Sequence, residues 1–279
     1  MKRITAELTE SFKKYLLNEE KSAATVEKYI RDVTAFAGCC GEKEITKEVC
    51  LEYKRKLTEA YAPKSVNSIL SSVNKFFEFA GWFDVKVKLL KIQKQIFLNK
   101  DKELTKDEYE RLLRAAKNKK NERLYYLMQT ICSTGIRVSE LRFITVEAVK
   151  ERQATISCKG KMRVVILPKQ LCKMLKGYVK RRGIKEGAVF VTRSGKPLDR
   201  SNIWSDMKKL CKSVGVSKEK VFPHNLRHLF ARTYYSLQKD IVRLADILGH
   251  TSVNTTRIYT METGEVHREQ LQKLGLLMC

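Results

Sequence analysis

Ser133-Thr134-Gly135-Ile136-Arg137-Val138-Ser139-Glu140-Leu141 and, later in the chain, Phe222-Pro223-His224-Asn225-Leu226-Arg227-His228 are the two stretches on which the reading of this sequence turns. In the first, Arg137 follows a glycine at a sharp helix-to-helix change. In the second, one turn of helix places His224 and Arg227 on the same side. Leu248-Gly249-His250 follows, and Tyr259 comes soon after in Thr256-Arg257-Ile258-Tyr259. Arginines beside histidines make an anion site, because a planar guanidinium matches phosphate or carboxylate oxygens in bidentate fashion and stays charged at any working pH. The i, i+4 spacing of His224 and His228 would also suit a metal. The zinc-helix motif, however, needs Glu directly after the first His, and Asn225 stands there, so no metal is expected.

The bulk charge asks for the same kind of partner. The chain has 279 residues with 56 Lys+Arg against 31 Asp+Glu, a formal net charge of +25. Residues 1–98 hold 18 basic and 13 acidic side chains, whereas residues 99–279 hold 38 and 18. A basic excess gathered in one part of the chain points to nucleic acid rather than to solubility alone. The longest uncharged run, Leu124 to Ile136, is 13 residues. A membrane span needs about 20, so none is expected. The N-terminus lacks the apolar core of a secretory signal, and the eight cysteines form no C-x-x-C pair. Reduced thiols in a cytoplasmic, nucleoid-associated protein are the expectation.

Hydrophobic periodicity divides the chain. Val26, Tyr29, Ile30, Val33 and Phe36 recur at helical spacing, as do Val66, Ile69, Leu70, Val73, Phe76 and Phe77. Four helices are predicted, over about 5–19, through the two stripes just named, and over 47–59, where Thr46 caps the start and Pro63 opens the helix that follows. The charges of this part are expected on solvated faces. Residues 1–84 read as one helical domain and 85–102 as a basic connection carrying Lys86, Lys88, Lys91, Lys94 and Lys100. Residues 103–279 form a second domain, opening at the capping-box sequence Thr105-Lys106-Asp107-Glu108. That domain is mainly helical, with a small β-hairpin from Ala154–Cys158 and Arg163–Leu167 joined through Lys159-Gly160-Lys161-Met162. A further brief strand is predicted over 188–192.

Taken together and in this order, T-G-I-R-V-S-E-L, the lysine-bearing hairpin, H-N-L-R-H, L-G-H and the tyrosine resemble the tyrosine recombinase (phage integrase) family, including its Xer-like and mobile-element members. The resemblance covers about 175 residues, and the helical first part is similar to the family's SAM-like core-binding domain. It implies a fold that is mainly α with a small β-hairpin, arranged as a two-domain DNA clamp with an α+β catalytic domain. It also implies a site-specific recombinase that cleaves and rejoins DNA through a 3′-phosphotyrosyl intermediate and a Holliday junction, using no cofactor, metal or ATP. The expected partners are double-stranded DNA with short inverted-repeat sites and, as a tetramer on two such sites, further copies of the chain. No separate N-terminal arm-binding domain is expected, because the helices begin near residue 5.

The resemblance assigns the catalytic roles. Arg137 and Arg227 clamp the scissile phosphate in place of metal ions, His250 adds a hydrogen bond, and His224 assists proton transfer. Tyr259 is the nucleophile. Ionising a free phenol at pH 7 costs roughly 4 kcal/mol, which nearby cations offset. Lys159 is expected to protonate the leaving 5′-oxygen, with Lys161 as the alternative register. Glu140 is read as a partner that holds Arg137. Lys91 and Lys94 on the connection, with Lys161 and Arg163 on the hairpin, are the expected DNA contacts. A helix over 264–277, with Val266, Leu271, Leu274, Leu276 and Leu277, is expected to dock into a neighbouring protomer. Two other classes share parts of this signature. A type IB topoisomerase shares phosphotyrosine chemistry, but the N-terminal four-helix unit and the T-G-I-R-V-S-E-L form favour a recombinase. A DNA-binding regulator explains the charge but not the ordered Arg–Lys–His–Arg–His–Tyr set.

Overall fold

The apolar stripes of the first part become helices whose buried faces are those stripes. A computed structural model describes residues 2–41, 43–93, 99–158, 161–192, 194–261, 268–269 and 271–274. It divides into two units, Met1–Lys94 and Gln95–Cys279. In the first, α1 (Ala6–Asn18), α2 (Ala23–Cys40), α3 (Lys47–Ala60) and α4 (Pro63–Phe79) follow the expected order. The Thr46 hydroxyl accepts from the Val49 N–H, and Pro63 occupies the first turn of α4, where its missing N–H costs nothing. Phe12, Phe36, Phe76 and Phe77 fill the centre, with Phe12 edge-on to Phe76 at 5.2 Å.

Not every charge here lies on a solvated face. Asp32 is buried between α2 and α4, where it accepts from Lys28 Nζ (2.7 Å) and from the Ser72 hydroxyl (2.8 Å). The i, i+4 spacing of Lys28 and Asp32 puts the ammonium beside the carboxylate, so burial strands no unpaired charge.

Residues 85–90, read above as the start of the interdomain connection, belong instead to this unit. Val85 and Val87 are buried in its core. Two asparagines of α4, one after the other along its length, hold the extended segment as a neighbouring strand would. The Asn74 amide donates to Val87 O (2.8 Å) and accepts from Val87 N (3.0 Å). The Asn67 amide does the same with Leu90 O (2.9 Å) and Leu90 N (2.7 Å). Because alternate lysines mask the two valines, the segment looked solvated throughout.

The second unit contains α5 (Lys106–Asn118), α6 (Glu122–Thr134), a 3-10 turn over Val138–Phe143, and α7 (Val146–Glu151). A hairpin of β1 (Gln153–Cys158) and β2 (Lys161–Ile166) comes next, then α8 (Lys169–Arg182) and α9 (Arg200–Cys211). α10 (Pro223–Gln238), α11 (Ile241–Leu248), α12 (Val253–Thr256) and a 3-10 turn over Arg257–Tyr259 complete the order. Thr105 and Glu108 form the capping box that the sequence indicates. The strands pair antiparallel from Gln153↔Ile166 to Cys158↔Lys161. Ala154, Ile156 and Val165 turn into the core, while Met162, Val164 and Ile166 face outward.

The strand predicted over 188–192 is reduced to two isolated bridges, Thr145↔Ala188 and Val191↔Pro197. Its backbone bonds go to the chain entering α7, where Val189 N donates to Ile144 O, and to its own tight turn, where Thr192 N donates to Lys196 O. Among the described residues no helix is long and apolar enough to cross a membrane. The strap offers a direct check on the first unit. Asn74→Ala leaves both polar groups of Val87 unpaired and is expected to cost about 1–3 kcal/mol. A lowered urea midpoint of unfolding measures this, and an unchanged midpoint contradicts the strap.

Candidate active site

Two helices end at left-handed glycines whose neighbourhoods meet around one guanidinium. α6 stops at Gly135 (φ 64°) and α11 at Gly249 (φ 64°). At either position a side chain is excluded by space as well as by φ. A Cβ on Gly135 would lie 2.5 Å from the Phe230 ring, and one on Gly249 would overlap the Arg163 side chain. The carbonyls at the two helix ends then face Arg227, which rises from the second turn of α10. Its Nη1 donates to Gly135 O, and its Nη2 donates to Leu248 O at 2.8 Å. Arg227 is 1% exposed, and among the described residues no carboxylate pairs with it. Burial, then the nearby Arg137 charge, push its pKa down to about 10, while Tyr259 pulls the other way. It stays charged at neutral pH, stabilised by the negative ends of two helix dipoles.

Arg137 is arranged differently. It follows Gly135 and Ile136 and caps the 3-10 turn, with its N–H donating to Glu140 Oε2 (2.9 Å) and its Nη1 to Glu140 Oε1 (2.8 Å). Its side chain remains about two-fifths exposed, at 39%. Two clefts share it. One, of about 280 Å³, is lined by Arg137, Arg200, Trp204, His224 and Arg227. The other, of about 610 Å³, is lined by Arg137, Arg163, Gly249, His250 and Thr255.

Arg163, expected to contact DNA, turns inward instead. Its Nη2 donates to Glu140 Oε2 (2.6 Å) and its Nη1 to Ile247 O (2.6 Å). The alternation of β2 explains the difference: Arg163 faces the inside of the hairpin opposite Ile156, with the exposed Met162 and Val164 on either side. Burial opposes the charge on Glu140. The Arg137 N–H and guanidinium and the Arg163 charge outweigh it and hold the carboxyl below its ordinary value.

The histidines divide by environment. His250 meets Arg227 Nη2 at Nε2 (3.0 Å) and the Thr256 hydroxyl at Nδ1 (2.8 Å). An arginine can only donate, so Nε2 is the acceptor and the ring proton sits on Nδ1. Burial, then Arg227 and Arg137, push the His250 pKa down to about 4. Burial of its ring, followed by His228, Arg227, Arg200 and Arg137, lowers His224 to about 4 as well. His224 also opens to solvent, which weakens that shift without reversing it. Tyr259 is 3% exposed in the small core of Ala231, Leu244 and Leu248. Its ring stacks on His250 at 6.1 Å and meets His228 edge-on at 5.0 Å.

Arg137, His224, Arg227, His250 and Tyr259 are thus brought together. Lys159 and Lys94 lie outside the described residues, as do His267 and most of 264–277, and of Lys161 only the backbone is described. Lys91 is exposed in the first unit. Two features escaped the sequence reading. Arg200 and Trp204, at i, i+4 on α9, line the cleft beside His224, and the aromatic-plus-basic pattern there was a usable signal. Glu103 accepts from His228 Nδ1 (3.2 Å) and pairs with Arg232 (3.5 Å). It sits in a loop with no periodic pattern to mark it.

The phage integrase family profile matches residues 102–265, and that of the phage integrase N-terminal SAM-like domain matches residues 9–82. The chain belongs to the phage integrase family. Tyrosine recombinase XerA of Thermococcus onnurineus is 30% identical over 282 residues, spanning 97% of this chain and 96% of the relative. XerA of Pyrococcus furiosus is 29% identical over 287 residues, spanning 99% and 96%. A crystal structure of XerA recombinase aligns with a TM-score of 0.52 at 28% identity, over 99% of this chain and 100% of the other. A lambda integrase fragment, crystallised as a dimer on a COC′ core site, shares the fold at a TM-score of 0.77 and 18% identity, over 93% and 96%.

The carboxylate at the centre of this integrase-family site gives a pH signature. Glu140 titrates lower when folded than when unfolded. Its contribution to stability is therefore complete above the unfolded value of about 4.3 and is lost as pH falls through the folded value. Glu140→Gln should lower Tm at pH 7, and the gap between variant and wild type should close in more acidic buffer. A gap independent of pH would mean that Glu140 is not the ionised hub.

Proposed function

We propose that this tyrosine recombinase cuts and rejoins duplex DNA at Tyr259, with Arg137 and Arg227 holding the scissile phosphate. The observation that carries the reading is the buried Arg227 guanidinium, fixed by two helix ends and set beside His250, Tyr259 and the cleft of Arg137 and His224. A guanidinium fixed in advance aims at charge that develops in the transition state and needs no reorganisation as it forms. Arg137, more exposed, supplies the mobile half of the clamp.

The bonds change as follows. The phenolic oxygen of Tyr259 attacks phosphorus, the P–O5′ bond breaks, and a 3′-phosphotyrosyl ester remains with a free 5′-hydroxyl. Religation reverses both changes. The phenolic proton passes to a histidine, and Lys159 protonates the 5′-oxygen, with Lys161 as the alternative. Burial and neighbouring cations disfavour the charge on His224 and make it a weak base. A bound phosphate supplies the counter-charge and raises it, so substrate binding switches on the base. His250 must give up its acceptor bond to Arg227, or gain a proton, before it donates to the phosphate. His228, fixed by Glu103, buttresses the Tyr259 ring.

The site being recombined is read as a pair of short inverted repeats, each half bound by one protomer, with a tetramer exchanging strands through a Holliday junction. A lambda integrase tetramer of the same fold has been crystallised on a Holliday junction. Leu271 and Leu274, in the C-terminal stretch assigned to exchange between protomers, are exposed, which supports docking outside their own chain. Lys91 and Lys94, at the end of the first unit's sequence, would grip the duplex, and Arg200 and Trp204 would extend the contact from the cleft.

Tyr259→Phe should bind site-containing DNA within about twofold of wild type while forming no SDS-resistant adduct. A persisting adduct would move the nucleophile to another residue, Tyr234 or Tyr235 being the nearest in sequence. The lysine has its own test. Lys159→Ala should cleave ordinary DNA slowly and a 5′-bridging phosphorothiolate at near wild-type rate, because a thiolate leaves without a proton. Rescue of Lys161→Ala but not of Lys159→Ala would reverse the assignment.

A further inference from the structure

The net charge of residues 99–279 greatly exceeds what the active site uses, and much of the surplus is organised on α8. Lys169, Lys173, Lys176 and Lys180 follow one another at i, i+4, i+7 and i+11, so all four project within one narrow arc of the helix. All four are exposed, while Leu171, Cys172, Leu175, Tyr178 and Val179 bury the other face. α8 contains no Asp or Glu. Lys150 and Arg152, at the end of α7, join Lys169, Lys173 and Lys176 around a shallow concavity of about 750 Å³. Glu147 and Glu151 of α7 do not line it. No ion pair involves any of these six cations among the described residues.

A merely solvated helix face interleaves both signs, because like charges at i, i+3 and i, i+4 repel. α5 does so, with Asp107, Glu108 and Glu110 among Lys106, Arg111, Arg114 and Lys117. The α8 row tolerates that repulsion over a length of roughly 16 Å, along which each strand of a duplex presents about five phosphates.

This surface is not an extension of the active site. None of its residues lines either cleft at Arg137. Arg152 and Lys169 flank the base of the hairpin, whose opposite end pairs Cys158 with Lys161. Six extended residues separate those ends by roughly 17 Å.

We propose that the α8 face binds the phosphate backbone of a second duplex segment, distinct from the duplex held at Tyr259. The proposal rests on the reading of the chain as a DNA enzyme, and its chemistry is that of sequence-independent phosphate contact. Such a face lets a bound protomer hold neighbouring or incoming DNA while its active site is engaged.

The test uses the full chain on an immobilised short duplex carrying its site, challenged with a labelled duplex of random sequence, which cannot form a synapse. Wild type should capture the second duplex. The triple variant Lys169→Gln, Lys173→Gln, Lys176→Gln should lose capture by at least about tenfold, with the salt slope of capture falling by about 3, roughly 0.9 per lost phosphate contact. Its covalent adduct on the short duplex should form at the wild-type rate, which also shows that it is folded. Single Lys173→Glu should weaken capture in the same direction. Unchanged capture by the triple variant, or none by wild type, overturns the proposal. So does preferential binding of wild type to phosphatidylserine vesicles over the random duplex. Capture without any adduct in wild type supports this face and sinks the recombinase reading alone.

Discussion

Arg227 carries a full positive charge at a position almost sealed from water, and among the described residues no carboxylate pairs with it. Burying an unpaired charge is among the most costly things a protein interior can do. Here the cost is offset by carbonyl oxygens at the ends of α6 and α11, which have no helical partners of their own. The requirement is mutual: the helix ends need donors and the guanidinium needs acceptors. Much else follows from this bond set. Gly135 and Gly249 end the helices in a left-handed conformation that strains any other residue, and His250 is carried next to Arg227 by the turn after Gly249.

Glu140 organises the other half of the site. One carboxylate accepts from the backbone and guanidinium of Arg137 and from Arg163, tying the turn after α6 to the hairpin and, through Ile247 O, to α11. The two functional arginines are therefore held by different means. Arg227 is fixed by carbonyls and keeps all its attraction for an anion. Arg137 spends part of its charge on Glu140 and keeps solvent access. A carboxylate on Arg227 would have blunted the site, whereas one on Arg137 restrains a side chain that must also be reachable.

The legibility of this protein in its sequence followed the range of the physics involved. Helices set by local periodicity were legible, α2 from its stripe of Val26, Val33 and Phe36 and α1 and α3 with nearly correct bounds, and so were the caps at Thr46 and Thr105. The grouping of Arg137, His224, Arg227, His250 and Tyr259 was legible because residue type and order together carry the resemblance to the family. Arg163 was misread because only the pleat of β2 decides that it points inward, and a one-residue shift of register would have turned it out. The strap over 85–90 was missed because its partners, Asn67 and Asn74, act across space from another element. Glu103 was invisible for the same reason.

The central claim is that the fixed fork of Arg227, and not merely its charge, makes the site work. Arg227→Lys keeps the charge but cannot donate to Gly135 O, Leu248 O and a phosphate oxygen in one plane. The decisive measurement is the single-turnover rate of covalent adduct formation by this variant, at DNA concentrations that saturate binding. The account predicts a fall of about 10²–10³-fold with DNA affinity little changed. Adduct formation at the wild-type rate would contradict it.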